Sequence, residues 1–138
     1  MNCCPIKLRY NQLQLRIKLQ LVDLFAGAGG FTLGFVKTGF VPVYAVECDK
    51  YAAETYQANF GPHCETQDIK DVESFPEADV LIGGPPCQGF SNLGAHIPDD
   101  PRNQLWRHYL RALKQVNPKV FVVEIGNSLN QLLLIVSK

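Results

Sequence analysis

The chain has no acidic residue before Asp23, a single tryptophan, and no C-x-x-C pair among its five cysteines at positions 3, 4, 48, 64 and 87. With no histidine at zinc-like spacing either, a zinc module is excluded and no metal is expected. An odd cysteine count without a secretory apolar segment argues for reduced thiols in an intracellular compartment. No run approaches the ~18 consecutive apolar residues of a membrane span. Repeats and low-complexity tracts are absent as well. What is present, 138 residues with 46% hydrophobic and 19% charged, fits one globular domain and leaves out disorder and coiled coil.

The formal net charge is zero, but its distribution is uneven. Residues 1–22 carry four basic and no acidic side chains, 23–100 three and twelve, and 101–138 six and one. A polyanion would meet mainly the C-terminal third, where Arg107, Arg111 and Lys114 share a helical face; the bland alternative is a solvated face. The basic start also suits an organelle-targeting segment, against which its lack of Ser and Ala argues. Leu13, Leu15, Ile17 and Leu19 alternate with polar residues as a half-exposed strand would.

Apolar runs alternate with helical periodicity, which predicts an α/β fold with a doubly wound, mostly parallel sheet. Strands are expected near 19–25, 42–47, 63–66, 79–83 and 119–124, and helices near 30–38, 49–60 and 101–117. In the last helix Trp106, Tyr109, Leu110, Leu113 and Val116 form an apolar stripe, and Asn117-Pro118 ends it. A long loop over 83–103 gathers Gly, Pro and Asn.

Two segments carry chemistry. Leu21 to Phe25 runs into Ala26-Gly27-Ala28-Gly29-Gly30 and then a helix, an arrangement in which glycines admit a nucleotide and free N–H groups meet its polar atoms. Glu47, ending the second strand, is placed to accept from ribose hydroxyls, and Asp68, after the third, from an adenine amino group. The other segment is Pro85-Pro86-Cys87-Gln88-Gly89, straight after Val80-Leu81-Ile82. Its prolines restrict the backbone, so Cys87 is held in one direction as a nucleophile would be. In a doubly wound sheet both loops open on the crevice where strand order reverses. Glu124 ends the apolar run from Val120, and a carboxylate there needs a partner or a polar cavity.

These residues resemble the C5-cytosine DNA methyltransferases, which use S-adenosylmethionine, over about 20–124. Asp23 to Gly30 is similar to the family's cofactor loop, and Gly84-Pro85-Pro86-Cys87-Gln88-Gly89-Phe90-Ser91 to its nucleophile loop. Asp100 to Leu105 resembles the following segment and Val122-Val123-Glu124 the strand end with its catalytic glutamate. The resemblance implies an S-adenosylmethionine-dependent transferase of the Rossmann-like methyltransferase type, acting on cytosine C5 in duplex DNA. It implies Cys87 and Glu124 as catalytic residues. Phe25, Ala26, Gly27, Gly29, Gly30, Phe31, Glu47, Cys48, Asp68, Ile69, Pro85 and Leu105 would line the cofactor. Pro86, Gln88, Gly89, Ser91 and Arg102 would face DNA. Cys48 stands where the family often has a bulky apolar residue against the adenine.

The pattern departs after Glu124, where Ile125-Gly126 replace the family's usual Asn-Val. The expected division is an N-terminal extension over 1–18, a partial catalytic domain over 19–124 and a tail over 125–138. The family's later strands and target-recognition part are expected to be missing, through truncation or a split arrangement in which a complementary chain supplies them. Little or no methyl transfer by this chain alone is then expected. A sheet ending at 124 would leave Phe121 and Val123 on an open edge, with Leu129 and Leu132 to Val136 folding back as a short helix or forming a loose tail. Such an enzyme would be cytoplasmic in a prokaryote and nuclear in a eukaryote. Alternatives are a tRNA methyltransferase of the same family, a non-catalytic cofactor- or partner-binding fragment, and a nicotinamide-dependent oxidoreductase. Against the last, Gly27 and Gly29 fit G-x-G-x-x-G, but Thr32 takes the third glycine's place.

Overall fold

A computed structural model describes residues 18–86, 104–125 and 132–137, the last segment and Ile125 by their backbone. The apolar runs become strands, β1 Gln20–Leu24, β2 Val41–Glu47, β3 Cys64–Thr66, β4 Val80–Gly83, β5 Val120–Ile125 and β6 Leu132–Ser137. Three helices join them, α1 Gly30–Lys37, α2 Lys50–Phe60 and α3 Leu105–Val116. The sheet order is β3-β2-β1-β4-β5-β6, parallel from β3 to β5. The chain leaves β1 first toward β2 and later returns to β4 on its other side, so strand order reverses between these two, as expected from the sequence.

Leu21, Val22, Leu24, Leu81 and Ile82 are fully buried, which is why these strands read as unbroken apolar runs rather than as alternation. Asp49 caps α2 by accepting from the Ala52 N–H at 2.8 Å. At the other end of α3, Asn117 takes the left-handed conformation (φ 48°) ahead of Pro118, which cannot continue a helix.

Three expectations are corrected. The first is the tail, since β6 pairs antiparallel with β5, Ile125 opposite Leu132 and Val120 opposite Ser137. Its backbone groups occupy the edge that β5 would otherwise expose, so 132–137 is neither helix nor loose tail and the edge is not open.

The second is the stripe on α3, where Tyr109, Ala112 and Val116 are buried while Trp106 and Leu110 remain 45% and 43% exposed. Small Ala112 allows the close approach. A Cβ on Gly83 would meet the Leu24 carbonyl oxygen at 2.6 Å and the Tyr109 ring at 3.0 Å, so this strand accepts only glycine there. Tyr109 then donates its hydroxyl to the Val122 carbonyl at 3.2 Å.

The third is Arg111, which turns inward rather than presenting a cation to a polyanion. Its guanidinium donates to the carbonyls of Val72 (2.7 Å) and Ile69 (2.8 Å) and lies 5.1 Å from the Phe75 ring centroid. Gln115 accepts from the Phe75 N–H at 3.0 Å. Residues 69–78 have no helix or strand of their own, and α3 satisfies the Ile69 and Val72 carbonyls while Ile69, Val72 and Phe75 are buried. Arg111→Ala is expected to lower the unfolding free energy by roughly 2–4 kcal/mol, from two charge-assisted bonds and one cation–π contact. Urea unfolding checks it; a change below about 0.5 kcal/mol would mark Arg111 as an ordinary surface residue.

Candidate functional site

The carboxyl ends of the parallel strands enclose a cavity of about 260 Å³. Its walls come from five separate segments: Phe25 after β1, Val46 to Cys48 at the end of β2, Gln67 to Lys70 after β3, Pro86 after β4, and Leu105 opening α3. Of the residues expected to line a cofactor, Phe25, Glu47, Cys48, Asp68, Ile69 and Leu105 meet here. Pro86, expected to face DNA, joins them.

Phe25 carries the strain in this turn, with φ 58° in a residue other than glycine. The positive φ values of Gly27 (55°) and Gly29 (89°) complete the bend from β1 into α1. Glu47 holds the bend in place. Its Oε2 accepts from the Gly27 N–H and its Oε1 from the Asp49 N–H, both at 2.8 Å, so one carboxylate ties the glycine turn to the start of α2. Oε1 also accepts from the Cys48 thiol at 3.5 Å, while Oε2 keeps a further lone pair for a hydroxyl donor. Asp68 accepts from the Lys70 N–H at 3.0 Å, and the Lys70 ammonium stands 3.4 Å from its other oxygen. Both side chains are nearly half exposed, so this pair contributes little to stability and sets charge locally.

Ala26 is buried and donates its N–H to the Val46 carbonyl at 3.1 Å, a structural tie beside the cavity rather than part of its wall. Gly30 and Phe31 line a separate, open groove with Gly34, Phe35, Thr38 and Phe40. The Phe31 ring packs on the core formed by Leu21, Val80, Ile82 and Val122, which draws it from the cavity wall. Pro85 is buried.

Glu124 is the last residue but one of β5, the strand beside the one that leads to Pro86. A Cβ added to Gly84 would lie 3.0 Å from its Oε2, so the bare glycine backbone beside β4 makes room for this carboxylate. Cys87, the next residue after Pro86, lies outside the described residues, as do Gln88, Gly89, Ser91 and Arg102. Cys48 is exposed, and its thiol is pushed up by partial burial and then by the neighbouring Glu47 carboxylate, which makes it a poor nucleophile at neutral pH.

Sequence reasoning missed Asp23 and Thr32, the two buried polar residues among the described residues. Thr32 donates to Asp23 Oδ2 at 2.6 Å, which explains why a hydroxyl occupies the place of a third glycine. The available signal was a carboxylate within the apolar run Leu21 to Phe25. Gln67 and Lys70 were missed also, because isolated polar residues after a three-residue strand carry no pattern. Among the described residues no cluster of His, Cys, Asp or Glu is arranged to hold a metal ion, and no helix is long and apolar enough to cross a membrane.

Comparison with known proteins agrees with this arrangement. A family model described as C-5 cytosine-specific DNA methylase matches residues 19–130. The chain is 42% identical over 120 residues to the type II methyltransferase M1.HphI of Haemophilus parahaemolyticus, covering 78% of this chain and 32% of that protein. It is 45% identical over 112 residues to M.BsuFI of Bacillus subtilis, covering 78% and 27%. A crystal structure from E. coli, titled as a prophage-encoded DNA modification methyltransferase, superposes with a TM-score of 0.66 at 34% identity, over 82% of this chain and 33% of that one. The chain therefore spans about a third of the length of the curated relatives it matches.

Proposed function

The chain belongs to the C-5 cytosine-specific DNA methylase family, and from that membership we propose that it carries the cofactor-binding and nucleophile-bearing part of a DNA cytosine-5 methyltransferase using S-adenosylmethionine. The observation that carries this reading is the cavity at the strand-order reversal, where residues after β1, β2, β3 and β4 converge. Its donor set fits the cofactor. Glu47 Oε2 retains a lone pair for a ribose hydroxyl, Asp68 has lone pairs for the adenine amino group, and Phe25, Ile69 and Leu105 offer apolar surface to the rings. Two carboxylates against the single Lys70 also leave the wall net negative, which suits a cationic sulfonium ligand.

When bound, S-adenosylmethionine supplies an electrophilic methyl group. The chain's own residues prepare the acceptor. Cytosine C5 is a weak nucleophile until a group adds at C6; the Cys87 thiolate forms that bond, and the C5–C6 π pair becomes available at C5. Glu124 hydrogen-bonds N3 and the exocyclic amino group, stabilising charge on the ring. After methylation, loss of the C5 proton returns an electron pair to the ring and expels the thiolate. An ordinary thiol is only a few per cent ionised at neutral pH, so its surroundings must favour the thiolate. A base stacked in duplex DNA cannot reach this site, so it must be flipped out at a cost of a few kcal/mol. Bacterial relatives favour an intracellular setting and DNA as substrate over tRNA.

The test is covalent trapping. Duplex DNA carrying 5-fluorocytosine, with S-adenosylmethionine present, reads the nucleophile directly: a denaturation-resistant adduct on the intact chain and none on Cys87→Ser supports Cys87 and overturns the expectation that this chain alone is inactive. If the intact chain binds the cofactor by calorimetry yet gives no adduct, the assignment of Cys87 as a self-sufficient nucleophile in this chain is wrong. A tRNA substrate run in parallel separates the alternative acceptor.

A further inference from the structure

Beneath the glycine turn, four side chains from distant parts of the chain are hydrogen-bonded in a line. Thr32 Oγ1 lies 2.6 Å from Asp23 Oδ2, the Tyr56 hydroxyl 3.1 Å from Thr32 Oγ1, and His63 Nε2 3.3 Å from the Tyr56 hydroxyl. Asp23, Thr32 and Tyr56 are all but inaccessible to water, and Asp23 Oδ1 is buried without a partner. His63, half-buried just before β3, is the one member that reaches solvent. None of the four lines the cavity.

The line also closes the turn. Asp23 belongs to β1 and Thr32 to the first turn of α1, so their bond clasps the two ends of the segment that contains Phe25, Gly27 and Gly29. A carboxylate accepts such a bond more strongly than a neutral carboxyl does. Each hydroxyl can donate once and accept, so the direction of donation along the line can reverse. With Asp23 ionised, an Nε2–H of His63 donates to Tyr56, Tyr56 to Thr32, and Thr32 to the carboxylate. With Asp23 protonated on Oδ2, the carboxyl donates to Thr32, Thr32 to Tyr56, and Tyr56 to the bare Nε2. A proton taken up at Nδ1 of the imidazole thus arrives as one on the carboxyl, and one lost there leaves the carboxyl ionised, with no net charge left on the hydroxyls or the ring.

We propose that Asp23, Thr32, Tyr56 and His63 act as a single proton relay that makes the clasp on the glycine turn sensitive to pH, with His63 as its surface inlet. Burial raises Asp23 to about 7, so the buried end responds near neutrality, and burial lowers His63, which favours the neutral imidazole whose Nε2 can donate or accept. The other groups whose charge bears on Asp23 are Glu47 at the end of β2, Cys64 on β3 and Tyr109 on α3. Burial also pushes Cys64 and Tyr109 up, so they stay neutral in this range. Glu47 alone adds charge, of the sign that opposes ionisation of Asp23. β4 brings the backbone of Ile82 and Gly83 against β1 and no titratable group.

Nuclear magnetic resonance on the chain with 13C-labelled aspartate reads the relay without cofactor, so its outcome is separate from that of the cofactor assignment. The Asp23 carboxyl carbon is expected to titrate near neutrality, with the Gly27 and Gly29 amide nitrogens sharing its midpoint. Tyr56→Phe keeps the ring and removes the hydroxyl; it should raise the midpoint by roughly half a pH unit and detach the His63 titration from it. Thr32→Val should raise it by about one unit, and Thr32→Ser should restore it. The proposal is overturned by an Asp23 midpoint near ~4, by glycine amides that ignore it, or by a midpoint unmoved in Tyr56→Phe that retains the amide dispersion of a folded chain.

Discussion

Gly29→Ala is expected to destabilise the chain by about 2–5 kcal/mol, whereas Gly27→Ala costs only about 1–2 kcal/mol. Both glycines have positive φ, 89° and 55°, but their surroundings differ. A Cβ at 29 would enter the Phe60 ring and come within 2.9 Å of the Tyr56 ring, while one at 27 meets nothing within 4 Å. Phe60 lies at the end of α2 and has some room, but Tyr56 is fully buried and hydrogen-bonded, so the ring cannot retreat without disturbing Thr32. Overpacking contributes about 1–3 kcal/mol and the unfavourable φ about 1–2. At 27 the φ lies near the left-handed minimum, where only the second cost applies. Thermal unfolding of the two variants should separate their midpoints by about 10 °C for a domain of this size. Equal midpoints would show that the turn yields freely, and that α2 does not hold it as described.

The pair illustrates what was legible beforehand. The glycines and the strand before them announced a turn against a ligand, and Phe25, Glu47, Cys48, Asp68, Ile69 and Leu105 do gather at one cavity. They are legible because each follows a strand or opens a helix, and a doubly wound sheet brings those positions to one edge. The buried strands β4 and β5 were equally plain, since burial on both faces leaves near-continuous apolar runs, whereas β1 carries Asp23 and β3 is exposed at Glu65 and Thr66.

What escaped depends on contacts between segments. Nothing in the sequence indicates that Tyr56 would seat against Gly29, or that Arg111 would turn from solvent to the carbonyls of Ile69 and Val72. The stripe on α3 was misplaced by weighting large side chains; the helix approaches the sheet through Ala112 because a small residue permits contact there. Glu47 was read as a ligand acceptor, yet its two hydrogen bonds to backbone N–H groups make it a structural tie as well. Ser137 to Leu132 pairing with β5 followed from an edge in need of partners, which apolar periodicity does not encode.

Asp23→Asn is expected to remove a pH dependence of about 4 kcal/mol from the stability of the fold. Burial is the main cause that raises this carboxyl from 3.8 to about 7; the Glu47 carboxylate adds to it, and the Thr32 hydrogen bond opposes it. Between those values the folded chain holds a proton on Asp23 that the unfolded chain has lost. Folding therefore takes up a proton, and stability falls by about 1.4 kcal/mol per pH unit as pH rises across this window. The contribution is fully present below pH ~4, is lost through pH ~7, and stays flat above. Asparagine has no proton to lose, so its folded state escapes this term, though its NH₂ group inherits the buried place of an unpartnered oxygen at a cost of about 1–3 kcal/mol. The remaining groups are common to both proteins, so the difference between them isolates Asp23. Urea unfolding at pH values from about 4.5 to 8 should show the variant losing at the acid end and gaining at the alkaline end, a swing of roughly 3–4 kcal/mol. A constant difference would mean that Asp23 ionises like an exposed carboxylate. A gain at pH 8 would instead mean that the chain keeps a destabilising acid in its core beneath the glycine turn, where function and not stability accounts for it.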